Sequence, residues 1–225
     1  MNTKAYCTSV EIKDRLHKEL AEDCLIFEND SPLVSLKDVD FPLIYEPSIM
    51  ENYQYLVREE LYDKIRRISE KLGQENKTLV IRSAWRSFRH QRMLWEQTIL
   101  RIQQDFPDKS SNDIKSITSN FIAPPNKSTH ATGGAIDALI QDNDTKQILD
   151  FGTNQGLHIE LNEKCYPYHP EMSDRIMENR NLLIGLFEQE DFVCDLKEYW
   201  HFDYGNVGWA VEKGKDYAVF GVVKA

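Results

Sequence analysis

The chain has 225 residues, of which 41% are apolar and 28% charged, with a net charge of −10 and a pI near 5.1. That size and composition suit one well-buried domain and argue against disorder. The acidity argues against nucleic acid or an anionic membrane surface as a partner. The segment Met1 to Cys7 lacks a secretory apolar stretch and no long apolar run follows, so a cytoplasmic location is expected, or a periplasmic one if a signal peptide has been removed. Cys7, Cys24, Cys165 and Cys194 are widely spaced without a Cys-x-x-Cys pair and read as reduced thiols.

Val10 to Glu22 has helical spacing and predicts a short helix, and Phe41 to Tyr45 an extended entry segment. Leu56, Leu61, Ile65, Ile68 and Leu72 follow a 3.6-residue period, predicting a helix over 53–72 with Gly73 at its C-cap. Thr78 to Ser83 is β-branched and alternating, a strand. A helix is expected from Phe88 to Phe106, stopped near Pro107, and a shorter one capped by Ser110 or Ser111 and running to about Phe121. Pro124-Pro125 forces a loop.

Gly134 to Ile140 and Ile148 to Phe151 read as strands around an Asp142-Asn143-Asp144 turn. Ser173 to Glu190 reads as an amphipathic helix, and Phe192 to Asp195 and Tyr199 to Tyr204 as the last strands. The order implies a single α+β domain, a small mixed or antiparallel sheet flanked by helices. Residues 1–39 are expected to form a helical or extended segment packed on a catalytic domain spanning 40–225.

Two short segments carry the chemistry: Ser128-Thr129-His130-Ala131-Thr132-Gly133-Gly134-Ala135-Ile136-Asp137 and Glu198-Tyr199-Trp200-His201. They supply two imidazoles, one carboxylate able to bind a metal, and a second carboxylate beside the later imidazole. Three N/O ligands with an open fourth position suit one catalytic zinc ion per chain, and the spare Glu198 suits a general base toward an activated water. On a regular strand His130 and Asp137 would point to opposite faces, so they converge only if the backbone turns between them, which Gly133-Gly134 permits. Likewise Glu198 is expected to end a loop while His201 lies in the strand, with Trp200 packing to orient it. Isolated histidines are usually core or surface residues, and His17, His90, His158 and His169 take that reading, the last two as minor candidates for the cleft wall.

Ser-x-His-x-x-Gly-x-Ala-x-Asp followed by Glu-x-Trp-His resembles the zinc D-alanyl-D-alanine dipeptidases, relatives of the zinc D,D-carboxypeptidases and, more distantly, of hedgehog-type domains. Ile81-Arg82-Ser83-Ala84-Trp85-Arg86-Ser87, Asp150-Phe151-Gly152-Thr153 and Trp200-His201-Phe202-Asp203-Tyr204-Gly205 extend the resemblance over roughly residues 40 to 210. It implies His130, Asp137 and His201 as metal ligands, Glu198 as base, and Arg86 as the partner of the developing oxyanion. Arg82 is the fallback for that role, while Arg89 and Arg92 read as a solvated helix face. The family often has Pro where this chain has Ser87.

The resemblance further implies that Ser128 holds substrate, and Asp150 and Tyr45 are further substrate-side candidates. The family's Asp after Gly-Thr-Phe, which binds a free amino end, is replaced here by Asn154-Gln155-Gly156; Glu160 and Glu163 could substitute. The leading expectation is zinc-dependent hydrolysis of a small D,D-peptide such as D-Ala-D-Ala. The alternatives are a D,D- or L,D-carboxypeptidase acting on peptidoglycan stem peptides, or a zinc module that binds without turnover.

Overall fold

A computed structural model describes residues 2–119, 122–153 and 163–223. Helix α1 (Thr3–Asp23) opens the chain, with the Asn2 side chain accepting a hydrogen bond from Ala5 N as its cap. It is longer than its periodicity suggests. Three short strands follow, β1 (Leu25–Ile26), β2 (Leu33–Ser35) and β3 (Leu43–Tyr45), then β4 (Leu56–Arg58) and α2 (Glu59–Gln74).

The expected helix over 53–72 thus begins six residues late, because 56–58 pair with β2. Gly73 lies inside α2, whose C-cap is Glu75. β5 (Lys77–Ser83), α3 (Phe88–Asp105) and α4 (Ser111–Thr118) follow, α4 capped by Ser110. β6 (Ala135–Asp142) is next, but 148–151 is no strand: Ile148 makes only one bridge, to Gln141. Asp142 instead spends its carboxylate on the turn, accepting from Asp144 N and Thr145 N.

α5 (Asp174–Gln189), β7 (Val193–Cys194), β8 (His201–Asp203), α6 (Val207–Glu212) and β9 (Tyr217–Ala218) complete the chain. The main sheet has the order β3-β5-β6-β8-β7, mixed because β3 and β5 run parallel while the other pairs are antiparallel. The protein is a single α+β domain. Among the described residues no helix is long and apolar enough to cross a membrane.

Leu61, Ile65, Ile68 and Leu72 of α2 bury their stripe in the main core beside β5 and β6. Phe202 of β8 stacks on Phe187 of α5, ring centroids 3.9 Å apart. Alternation along β8 then turns His201 and Asp203 to the opposite face, away from α5. Arg58, buried at the end of β4, ties distant segments together. Its guanidinium donates to the carbonyls of Thr132, Ser31 and Gly221 at 2.6, 2.6 and 3.0 Å, and pairs with Glu28 at 3.1 Å.

Candidate metal centre

His130 lies on a 3-10 turn, Thr129–Thr132, that ends at Gly133 with φ +74°. That left-handed conformation is what calls for glycine; a Cβ there would also meet the terminal Leu33 Cδ2 at 2.5 Å, which a shift of the Leu33 side chain could relieve. Gly134 is fixed by close approach instead: a Cβ would lie 2.3 Å from the Tyr204 carbonyl. The turn expected between His130 and Asp137 is therefore present, and it brings His130 against the start of β6.

Asp137 and His201 are direct cross-strand partners on β6 and β8, and Ser83 of β5 flanks Asp137 on the other side. The β5–β6 register shifts between Ile81 and Ser83. Such an irregularity re-aims the side chains that follow it. Glu198 sits in the loop before β8 and closes a turn in which its carbonyl accepts from His201 N at 3.0 Å.

Nε2 of His130 lies 3.2 Å from Asp137 Oδ2, and Nδ1 of His201 lies 2.9 Å from Asp137 Oδ1. All three residues are buried, and one ligand atom from each lies within 4.8 Å of the others. His130 Nδ1 is 2.8 Å from the Ala84 carbonyl, to which only a protonated nitrogen can bond. Burial and then the Arg86 charge lower the pKa of His130 and favour its neutral form. Nε2 then presents a lone pair to a carboxylate oxygen. Electron-rich atoms converging in a buried pocket suit a cation, and two imidazoles with a carboxylate suit zinc.

The surroundings orient this set. His201 Nε2 faces Asp203 Oδ1 at 3.1 Å and Thr129 Oγ1 at 3.2 Å, and Asn206 Nδ2 donates to Asp203 Oδ1 at 2.6 Å. Burial would lower the His201 pKa, but Asp203 and Asp137 raise it well above the usual imidazole value. Burial would raise that of Asp137; the Arg86 charge and the bond from His201 hold it well below the carboxylate range. Neither Asp203 nor Thr129 was singled out from sequence as a site residue. The signal for Asp203 was present, since it lies two residues past His201 on a strand and so shares its face.

Glu198 lines the same cleft as His130, Asp137 and His201, and no donor among the described residues occupies its carboxylate. Asp195 Oδ1 accepts from the backbone N–H groups of Lys197 and Glu198 at 2.7 and 3.0 Å and so shapes the loop. Desolvation, then the Asp195 charge, pushes Glu198 up to about 8. Arg86 donates to Asp137 Oδ2 at 2.6 Å, to Ser83 Oγ at 2.7 Å and to Gln91 Oε1 at 3.3 Å. A guanidinium has five N–H donors, so these contacts leave two for a substrate oxygen. Ser128 also lines the cleft.

Of the remaining candidates, Arg82 and Trp200 also line the cleft, and the others are placed elsewhere. Arg82 pairs with Glu46 at 2.8 Å and lies over the Trp200 ring at 5.7 Å. Trp200 forms part of the cleft wall. The Tyr45 hydroxyl bonds the Leu36 carbonyl, and its ring packs on Tyr55 in the wall of the core rather than in the cleft. Asp150 is exposed and accepts from Gly152 N at 2.8 Å, a turn contact. Buried His90 packs edge-on against Tyr53, centroids 5.0 Å apart, and burial followed by the Arg86 charge lowers it to about 4. His169 is buried away from the cleft, Glu163 is exposed in a 3-10 turn, and His158 and Glu160 lie outside the described residues.

The family model described as D-Ala-D-Ala dipeptidase matches residues 47–218, which include His130, Asp137, Glu198 and His201. The chain belongs to this family. A D-alanyl-D-alanine dipeptidase of Escherichia coli (strain K12) is 31% identical over 125 residues, 56% of this chain and 54% of that protein. The match to this member of the D-Ala-D-Ala dipeptidase family thus spans about half of its length. Two solved structures are also similar. One is a mutant of the vancomycin-resistance D,D-pentapeptidase VanY in complex with Zn(II), with 13% identity and a TM-score of 0.46, covering 86% of this chain and 95% of that one. The other is the LD-carboxypeptidase LdcB, with 16% identity and a TM-score of 0.46, covering 84% of this chain and 76% of that one.

Proposed function

We propose that the protein hydrolyses a small D,D-peptide such as D-alanyl-D-alanine, with one zinc ion held by His130, Asp137 and His201 and with Glu198 as general base. The observation that carries this reading is the placement of an unengaged Glu198 carboxylate in the cleft that contains all three ligands. A zinc ion held by His130, Asp137 and His201 would supply Lewis acidity, would lower the pKa of a nearby water and would favour the charged form of nearby carboxylates.

The protein's own groups do the rest. Glu198, ionised, takes a proton from the attacking water and returns it to the departing amine. The two unused N–H groups of Arg86 stabilise the charge that develops on the carbonyl oxygen. The Ser128 hydroxyl, donor and acceptor both, holds the substrate beside them. Asp195 keeps the Glu198 loop in place through two backbone N–H groups.

The test is D-alanine release from D-Ala-D-Ala and from an N-acylated counterpart, with zinc and with chelator, by wild type and by Glu198→Gln. Release from the free dipeptide, abolished by chelator and reduced about 10²–10⁴-fold in Glu198→Gln, is expected. Unchanged turnover in that variant would sink the role of Glu198. Release from the N-acylated peptide would favour the carboxypeptidase reading, because a site built to pair a free ammonium rejects a blocked one. A metal-loaded protein that cleaves neither would favour a binding module.

A further inference from the structure

The stretch Ser83-Ala84-Trp85 touches two parts of the site at once. Ser83 Oγ accepts from Arg86 Nε at 2.7 Å, and the Ala84 carbonyl meets His130 Nδ1 at 2.8 Å. Beyond Ser83 the chain leaves β5, so the sheet ladder no longer holds it. Two contacts replace the ladder. Trp85 N donates to the Leu56 carbonyl at 2.7 Å. The Tyr53 hydroxyl, from the loop before β4, meets all three residues: it lies 2.8 Å from Ala84 N, 2.9 Å from the Trp85 carbonyl and 3.3 Å from Ser83 Oγ.

Counting protons gives these bonds a direction. A phenol has one proton to donate, and burial pushes the Tyr53 pKa up, so the hydroxyl keeps it. The Trp85 carbonyl can only accept, and therefore takes that proton. The Ala84 N–H can only donate. The remaining contact is then a donation from the Ser83 hydroxyl to the Tyr53 oxygen. With its proton turned that way, Ser83 presents a lone pair to Arg86 Nε–H. Without that acceptor, the Ser83 proton is free to rotate toward the guanidinium and break the contact.

The Tyr53 ring is itself held. Its centroid lies 4.6 Å from that of Tyr55 and 5.0 Å from that of His90 on α3. The loop has an uncommon backbone as well, with φ +58° at Asn52 and +49° at Tyr55. Asparagine takes the left-handed region readily, but a bulky tyrosine does so only where its surroundings impose it, and such outliers cluster at functional sites. We propose that Tyr53 is a positioning residue for the reaction, its hydroxyl acting through Ser83 to aim the Arg86 guanidinium. This deepens the proposed function and rests on the role given there to Arg86.

Tyr53→Phe keeps the ring and removes the three hydroxyl contacts, and Ser83→Ala removes the link between Tyr53 and Arg86. With D-Ala-D-Ala at full zinc occupancy, each is expected to lower kcat about 10–100-fold with KM little changed. Adding Tyr53→Phe to Arg86→Met is expected to change kcat less than about twofold, because the hydroxyl then has nothing to aim. Wild-type kcat in Tyr53→Phe, or a full further loss in the Arg86→Met background, would overturn the proposal. Hydrogen exchange at Arg86 Nε–H, followed by NMR, reads the same contact without turnover. It is expected to quicken about fivefold in Tyr53→Phe and in Ser83→Ala. Unchanged exchange in both variants would overturn the positioning role. A wild-type protein that cleaves no peptide would count against the proposed reaction alone, and the exchange rates would still decide the contact.

Discussion

His201 and Asp203 share one face of β8, and the His201 Nε2 atom lies 3.1 Å from Asp203 Oδ1. The carboxylate holds a proton on Nε2 and leaves Nδ1 aimed at Asp137. Such a second partner fixes both the tautomer and the ring plane of a histidine proposed as a ligand.

Asp203→Asn should therefore weaken metal affinity about 10–100-fold without changing the ligand set. Competition titration against a chromophoric chelator reads this directly. Affinity equal to wild type would show that Asn206 and Thr129 suffice to orient the ring.

Metal uptake should release protons. His201 has a raised pKa and Glu198 one near 8, so both carry protons near neutrality before the metal arrives. Apparent affinity should thus rise as pH goes from about 6 to 8. Calorimetry in buffers of different ionisation enthalpy counts the protons, with fewer expected in Glu198→Gln.

The same shifts set the stability of the metal-free protein. Both folded-state values lie above the unfolded ones, so the folded protein holds more protons than the unfolded chain. Stability is fully present below the unfolded values and is lost as pH rises through the folded ones. The melting temperature of chelated protein should fall between about pH 6 and 9, while zinc should flatten or reverse that slope. A chelated protein that gains stability over this range would contradict the assigned protonation states.

Arg86→Met should lower kcat about 10²–10³-fold with a smaller change in KM, as expected when a charge acts mainly in the transition state. Since Arg86 also holds Asp137 at 2.6 Å, metal content must be measured in parallel. Normal kcat at full metal occupancy would remove Arg86 from the reaction.

Arg180→Met tests the scaffold. This fully buried guanidinium donates to the carbonyls of Phe151, Lys164, Tyr166 and Pro167 and lies 4.2 Å from the Tyr199 ring. Its loss strands four acceptors and should cost about 3–5 kcal/mol in urea denaturation. A cost under about 1 kcal/mol would mean the carbonyls find other partners.

The convergence of His130, Asp137 and His201, with Glu198 on the same cleft, was legible in sequence because the chemistry proposed for them demands particular residue types at particular spacings. Gly133 announced the turn that joins His130 to Asp137, and the positive φ bears it out. The β-branched run Thr78 to Ser83 also located β5 closely, although the strand is buried along most of its length rather than on alternate residues. The start of α2 was misplaced because 56–58 follow the helical period yet pair with β2, a contact about twenty residues away in sequence. Gly73 was misread as a cap because it is followed by one more helical residue and then by Glu75. Neither α6 nor the β1–β9 pairing has a local pattern strong enough to declare it. Arg180 carried no signal at all, since its partners are backbone carbonyls and sequence says nothing about where those gather.

Arg58 gives the molecule one more property. The turn that bears His130 is held from behind by a side chain that also grips residues 28, 31 and 221, and Val223 N donates to the Ala131 carbonyl at 2.9 Å. Those anchors come from both ends of the chain, outside the stretch that defines the family. A protein trimmed to residues 47–218 would keep His130, Asp137 and His201 and lose the vice that aims the first of them.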